Sequence, residues 1–347
     1  MMKLNPQLFA KDVKKVSTRD GYGKGLVNIG RSKNIWVVSA DLPESTRIHW
    51  FGKKYPKRFV EVGVAEQNMA SVASGIAAMA KTVFISSFGT FSPGRNNEQI
   101  RTTIAYNSWQ AKKGKEMNVK IASTHTGLET GEDGATHQAL EDIGLMRMLP
   151  GMTVIVPCDA LEAEKATIAL ATKHQGPAYL RLGRASQPII TTQQTPFHIG
   201  KISEFKSGKD CTIIACGQLV YEALLAADEL KGEIDCQVLN CHTIKPLDTE
   251  TVLNSVQKTG CLVTAEEHQS AGGLGSAVSE FLGEKFPIPI KMVAVRDQFG
   301  ESGPAPELMK KFGLTSKDII KAVREVVIRK KSSTPKKEHP VNHSCPE

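Results

Sequence analysis

The sequence predicts an α/β protein built as two stacked three-layer domains with mostly parallel sheets. Three observations carry that expectation. Short β-branched runs alternate with helical stretches along most of the chain, the pattern of parallel strands joined by crossover helices. The chain has 347 residues, too many for one ordinary core. A stretch without periodicity, Ala185 to Gly200 (ASQPIITTQQTPFHIG), splits the alternation in two.

In the first half, strands are predicted at IWVVS (35–39), TVFISS (82–87), NVKIAS (118–123), TVIV (153–156) and AYLRL (178–182). Helices fit between them at 65–80, 95–108, 137–148 and 159–174. The second half repeats the theme with CTIIAC (211–216), CQVLN (236–240), CLVTA (261–265) and IKMVAV (290–295). Its helices are expected near 218–231, 248–258, 274–284 and 316–329. The resulting division is a domain at 10–190, a second at 197–328, and a disordered basic tail at 329–347. There is no internal sequence repeat.

Composition narrows the class. Hydrophobic residues make up 40% and charged residues 23%, which fits a soluble globular enzyme. No run approaches the roughly 18 apolar residues a membrane span needs. The basic start, MMKLNPQLFAKDVKK, is followed by no apolar segment, so a cytoplasmic location is expected. Seven cysteines form no Cys-x-x-Cys pair and read as reduced, mostly buried thiols rather than metal ligands. Of the net charge of +8, Arg329 to Lys337 (RKKSSTPKK) supplies five positives. With no nucleic-acid module beside it, that excess suits anionic small molecules such as sugar phosphates.

The chain is organised around Arg58 to Ala80, RFVEVGVAEQNMASVASGIAAMA. A short apolar strand meets Gly63 and opens a long Ala-, Ser- and Met-rich helix with Glu66 in its first turn. Apolar residues on nearly every face predict a helix buried against other protein. An acid at its mouth either answers the helix dipole or is a buried acid with chemistry to do. The neighbours favour the second. In parallel sheets ligands sit beyond the carboxyl ends of strands, and the unusual residues fall there. Phe88 and Phe91 follow one strand (SFGTF), a spacing more often seen in cores than in cofactor platforms. After another strand comes STHTGLETGEDGATHQ (123–138), with two histidines, an acidic pair and three glycines in sixteen residues. Such a loop suits handling of hydroxyl protons near neutral pH. Arg184 places a guanidinium at a third strand end, suited to phosphate.

Taken together these segments resemble transketolase, specifically its carboxyl-terminal half. The resemblance runs through VSADL (38–42), RFVEVGVAEQNM (58–69), SFGTF (87–91), GRNNEQIR (94–101), THTGLETGEDGATHQ (124–138), GPAYLRLGR (176–184) and EEHQSAGGLGSAV (266–278). It implies a thiamine-diphosphate-enzyme pyrimidine-binding domain at 10–190 and a transketolase C-terminal domain at 197–328. Glu66 matches the glutamate that bonds N1′ of the thiamine aminopyrimidine. Such a carboxyl has to hold a proton, which an apolar, helix-lined setting favours. Phe91, with Phe88 beside it, matches the aromatic wall of the pyrimidine, and Asp41 an aspartate near the cofactor. His137 and Asp133 match residues around the donor sugar's hydroxyls, the histidine as proton carrier. Arg19, Ser45, His125 and Arg184 match the set that grips the substrate phosphate.

The sequence also departs from the family. The Gly-Asp-Gly signature with its Asn pair, which holds metal and diphosphate, is absent. The resemblance therefore implies one chain of a split enzyme: no metal ligands here, thiamine diphosphate and Mg2+ shared with a partner, and an α2β2 assembly. The expected partner is an N-terminal subunit carrying the diphosphate-binding domain. Asn97 stands where many relatives carry an aromatic residue, and Glu129 where a small or uncharged residue is expected, placing a negative charge near the phosphate set. His268 and AGGLGSAV (271–278) lack G-x-G-x-x-G spacing, and their glycines read as permitting close helix–strand approach. The leading function is transfer of a two-carbon ketol unit between sugar phosphates, as in the pentose phosphate pathway. Two alternatives stand beside it: the β subunit of a 2-oxoacid dehydrogenase or other thiamine enzyme, and a non-catalytic assembly partner.

Overall fold

The computed structural model describes residues 2–333. Two main sheets organise the chain. The first has seven strands in the order Thr243–Lys245, Thr153–Ile155, Ala178–Arg181, Val119–Thr124, Thr82–Phe88, Ile35–Ser39, Phe59–Glu61. All neighbours are parallel except Thr243–Lys245, which runs antiparallel to Thr153–Ile155. The second has five strands: Ile290–Val295, Leu262–Gln269, Cys211–Ala215, Cys236–Asn240 and, antiparallel at the edge, Ser203–Lys206. The architecture is α/β with mostly parallel sheets.

The central strands are buried along their whole length, as in Thr82–Phe88 and Val119–Thr124, because helices cover both faces of the sheet. On one face of the first sheet, helices Thr18–Ile29 and Ala160–Thr172 bring Tyr22, Leu26, Ala163 and Leu170 onto Phe84, Ala122 and Leu180. On the other, helix Glu66–Ala78 brings Met69, Ala70, Ala73 and Ala77 onto Val83, Ile85 and Ile121. That second core continues without a break into Ile214, Leu239, Leu262 and Val278, so the two sheets share one apolar layer.

Several elements differ from the sequence reading. The helix expected at 137–148 forms only over Asp142–Arg147. The residues before it are held as a loop: Gln138 Nε2 donates to the carbonyls of Gly131 (3.1 Å) and Glu301 (2.9 Å). The helix expected at 95–108 runs from Asn97 to Gln110, with a π-helical stretch at Ile100–Tyr106. Within the aperiodic break, Ser186–Pro188 pairs antiparallel with Lys15–Ser17. The predicted tail begins too early, because helix Ser316–Ser333 continues through 329–333, buried on an apolar stripe that includes Ile319, Val323 and Val326. The rest of that tail, with Cys345, lies outside the described residues. The other six cysteines are buried, unpaired thiols. Among the described residues no helix is long and apolar enough to cross a membrane.

Candidate active site

Six parallel strands of the first sheet end on one rim, and the candidate residues stand there because a strand–turn–helix chain leaves its turns at that edge. The strand Phe59–Glu61 passes through Gly63, whose φ of 74° is left-handed and suits glycine, into the helix headed by Glu66. Glu66 is 1% exposed. Its carboxylate is not surrounded by alanine and methionine alone, as the sequence suggested. It accepts from Ser87 Oγ at 3.0 Å and from Arg95 Nη1 at 2.7 Å. Of the helix itself only the stripe Glu66, Met69, Ala70, Ala73, Ser74, Ala77 is buried. Gln67, Asn68, Ser71 and Gly75 face outward, with Val64 at 72% and Met79 at 73% exposure.

Next to the acid lies an aromatic group. Phe88 and Phe91 stack with centroids 5.8 Å apart. His137 stands edge-on to Phe91 at 5.4 Å, its Nδ1 2.9 Å from Thr136 Oγ1. On Phe88 stacks His125 at 3.7 Å. His125 Nδ1 lies 2.9 Å from Thr124 Oγ1, and its Nε2 3.4 Å from Arg19 Nη1. One continuous row of side chains thus joins the cofactor candidates to the phosphate candidates.

The phosphate set is cationic and half-buried. Arg19 Nη1 also donates to the Ser45 carbonyl at 2.9 Å, so Ser45 contributes its backbone as well as its position. Arg184 Nη1 donates to Thr130 O (2.8 Å) and Glu132 Oε2 (3.1 Å). Burial, then the neighbouring Arg47, lowers the pKa of Arg19. Burial, then the charges of Arg19, Arg184 and His137, pushes His125 down to about 3, so this ring is neutral at physiological pH. Cations crowded to this degree suit a dianion.

Two candidates stand apart. Asp41 and Asp133 are exposed, and neither carboxylate makes a hydrogen bond among the described residues. Asp41 takes a φ of 61°, its N–H donating to Glu61 Oε1 at 2.8 Å. Glu129 does not face the phosphate set as a charge. It is buried, accepts from Gln187 Nε2 and its N–H donates to Glu267 Oε1 at 2.7 Å. Burial, then the charge of Glu267, pushes its pKa up, well above the usual carboxylate range. Asn97 is half-buried with an unpaired Nδ2. The glycine-rich stretch after His268 does bring helix to strand: a Cβ on Gly275 would lie 2.9 Å from Met292 Sδ and Thr264 Oγ1.

Sequence reasoning missed Arg95, Ser87, Arg47 and Glu267. Arg95 and Ser87 lie in GRNNEQIR and SFGTF but carry no periodicity, and only the fold brings them to Glu66. Arg47 pairs with Asp20 at 2.6 Å behind Arg19.

The donor set fits the aminopyrimidine end of thiamine: a buried carboxylate beside stacked aromatic faces. Among the described residues no group of three or more His, Cys, Asp or Glu could hold a metal ion.

Comparison with known proteins shows the family. The transketolase pyrimidine-binding domain matches residues 14–188 and the transketolase C-terminal domain residues 200–319. A Clostridium sp. protein, 6-deoxy-6-sulfo-D-fructose transketolase subunit SqwH, is 42% identical over 90% of this chain and 95% of its own. Human transketolase is 36% identical over 91% of this chain, which spans 50% of that protein's length. A solved split gene transketolase, an inactive beta4 tetramer, superposes with a TM-score of 0.83 at 43% identity, covering 91% of this chain and 99% of the other. The chain belongs to the transketolase family, as the half that joins the pyrimidine-binding domain to the C-terminal domain.

Proposed function

We propose that this protein is the pyrimidine-binding chain of a split, thiamine-diphosphate-dependent transketolase that moves a two-carbon ketol unit between sugar phosphates. The observation that carries the reading is Glu66, sealed from water beside the Phe88–Phe91 stack. The anion-binding set of Arg19, neutral His125 and Arg184 continues from it through the His125–Phe88 stack.

When bound, thiamine diphosphate supplies the carbon that accepts the ketol unit. The chain's own residues do the rest. Glu66 holds or releases a proton at the aminopyrimidine N1′, with Ser87 orienting its Oε1. Phe91 and Phe88 exclude water and present a flat wall. His137, whose Nδ1 is turned to Thr136, has Nε2 available to a sugar hydroxyl. Asp133 recognises a hydroxyl of the donor sugar from the loop before it, and Asp41 flanks the cofactor. Arg19, Arg184, neutral His125 and Ser45 bind the terminal anion. Related subunits are named for 6-deoxy-6-sulfo-D-fructose and for apulose-4-phosphate. The same cationic set suits a phosphate or another tetrahedral anion.

The diphosphate and Mg2+ are assigned to a partner chain with the missing Gly-Asp-Gly motif. The uncovered face of the Glu66 helix, with Val64 beside its start, is the surface it would seal, in an α2β2 assembly. The test is reconstitution. Co-purification yields a partner carrying that motif, and the pair transfers ketol units from a ketose phosphate but not from pyruvate. Glu66→Ala abolishes turnover while the fold persists. Full activity in that variant rejects the assignment.

A further inference from the structure

The space between Phe91 and Glu66 already has an occupant. Arg95 Nη1 donates to Glu66 Oε2 at 2.7 Å, and Arg95 Cζ lies 4.6 Å from the Phe91 ring centroid. A guanidinium is planar, cationic and carries its N–H groups in its own plane. Stacked on Phe91 and bonded edgewise to Glu66, it makes the two contacts that the proposed function gives to the aminopyrimidine ring.

The anchoring of this residue is one-sided. The backbone around it is fixed: buried Asn96 donates Nδ2 to the Glu66 carbonyl and to Ser92 Oγ, both at 3.1 Å. The Arg95 side chain is 46% exposed, and its bond to Glu66 is its only hydrogen bond among the described residues. It can turn outward without moving the helix or the loop.

We infer that Arg95 is a gate, filling the aminopyrimidine seat of the cofactor-free chain and swinging out of it when the ring enters. This rests on the reading of the site as a thiamine site. The arrangement has a physical rationale in both positions. With the seat empty, a buried carboxylate left without a cation is costly, and Arg95 supplies one. Departure of Arg95 leaves Ser87 as the remaining partner and frees Oε2 for the ring.

The experiment measures binding of thiamine, which has the aminopyrimidine and no diphosphate, to the full-length chain by equilibrium dialysis. Arg95→Ala is expected to bind about tenfold tighter than wild type, a difference of one decade in Kd. Arg95→Lys, with the charge but no flat face, is expected to fall between. Adding Phe91→Ala to Arg95→Ala removes the gain. Circular dichroism confirms folding, and Arg95→Gln replaces the alanine variant if that one unfolds. Equal or weaker binding in Arg95→Ala and Arg95→Gln, with Glu66→Ala abolishing binding, overturns the gate and leaves the thiamine site standing. No saturable thiamine binding in any variant, nor thiamine diphosphate binding in the co-purified complex, overturns both.

Discussion

Arg181 donates Nε to Asp142 Oδ2 at 2.7 Å with both side chains shut off from water. The same carboxylate oxygen accepts from the Tyr179 hydroxyl at 2.6 Å, and Arg181 Nη2 donates to the carbonyls of Ala139 (3.2 Å) and Glu267 (2.9 Å). One guanidinium therefore ties a strand of the first sheet to the end of the histidine loop and to the second sheet. Breaking a buried pair strands the surviving charge, and Asp142→Ala is expected to lose about 3–5 kcal/mol of stability. Urea unfolding measures it, and a loss below about 1 kcal/mol would remove this pair from the account of the fold.

Glu129 and Gly183 are in tight contact, since a Cβ on Gly183 would overlap Glu129 Oε1. Gly183→Ala is expected to cost about 2 kcal/mol or more from overpacking. Glu129→Ala in the same chain relieves part of that loss, giving a coupling of about 1 kcal/mol in a double-mutant cycle. Additive losses would show that the two sites do not compete for the same space.

Stability should fall in acid through buried neutral histidines. His174 is pushed down to about 3 by burial and then by Lys120, whose Nζ lies 3.0 Å from His174 Nδ1. The unfolded ring titrates near about 6.5, so between those values the unfolded chain binds the extra proton. Stability from this group is intact above pH 6.5 or so and is lost as pH falls toward 3, by up to about 1.4 kcal/mol per pH unit. Comparing wild type with His174→Gln by urea unfolding at several pH values isolates it: the variant's acid limb is flatter. Parallel limbs would mean that the ring is protonated in the folded state.

Val64 stands 72% exposed two residues before Glu66. If the partner chain seals this face, Val64→Asp leaves the melting temperature of the isolated chain within about 2 °C, because exposed substitutions move stability little. The same change abolishes co-purification of the partner. Normal recovery of the complex places the interface elsewhere.

Much of this was readable from residue pattern. The buried strands announce themselves as short β-branched runs between helical stretches, and Glu66, Phe91, His125 and His137 as candidates through their motifs and places at strand ends. The alternation of strands places a helix over 137–148, yet 137–141 is a loop. What overrode that expectation was tertiary: Gln138 and Ala139 are spent on bonds to Gly131, Glu301 and Arg181. Arg95 was invisible for the same reason, since nothing local tells a guanidinium that its carboxylate lies twenty-nine residues upstream. The sequence places Glu129 as a charge near the phosphate set, and only the fold shows it buried against Glu267, where burial raises its pKa.

The strand Thr243–Lys245, contributed from beyond the aperiodic break, closes the Thr153–Ile155 side of the first sheet. Excising the pyrimidine-binding half as a stand-alone fragment would peel away that border and bare a row of unsatisfied peptide groups on a fully buried, apolar strand, a template for cross-pairing between molecules. An engineer grafting this module will therefore need to carry residues past 245 along.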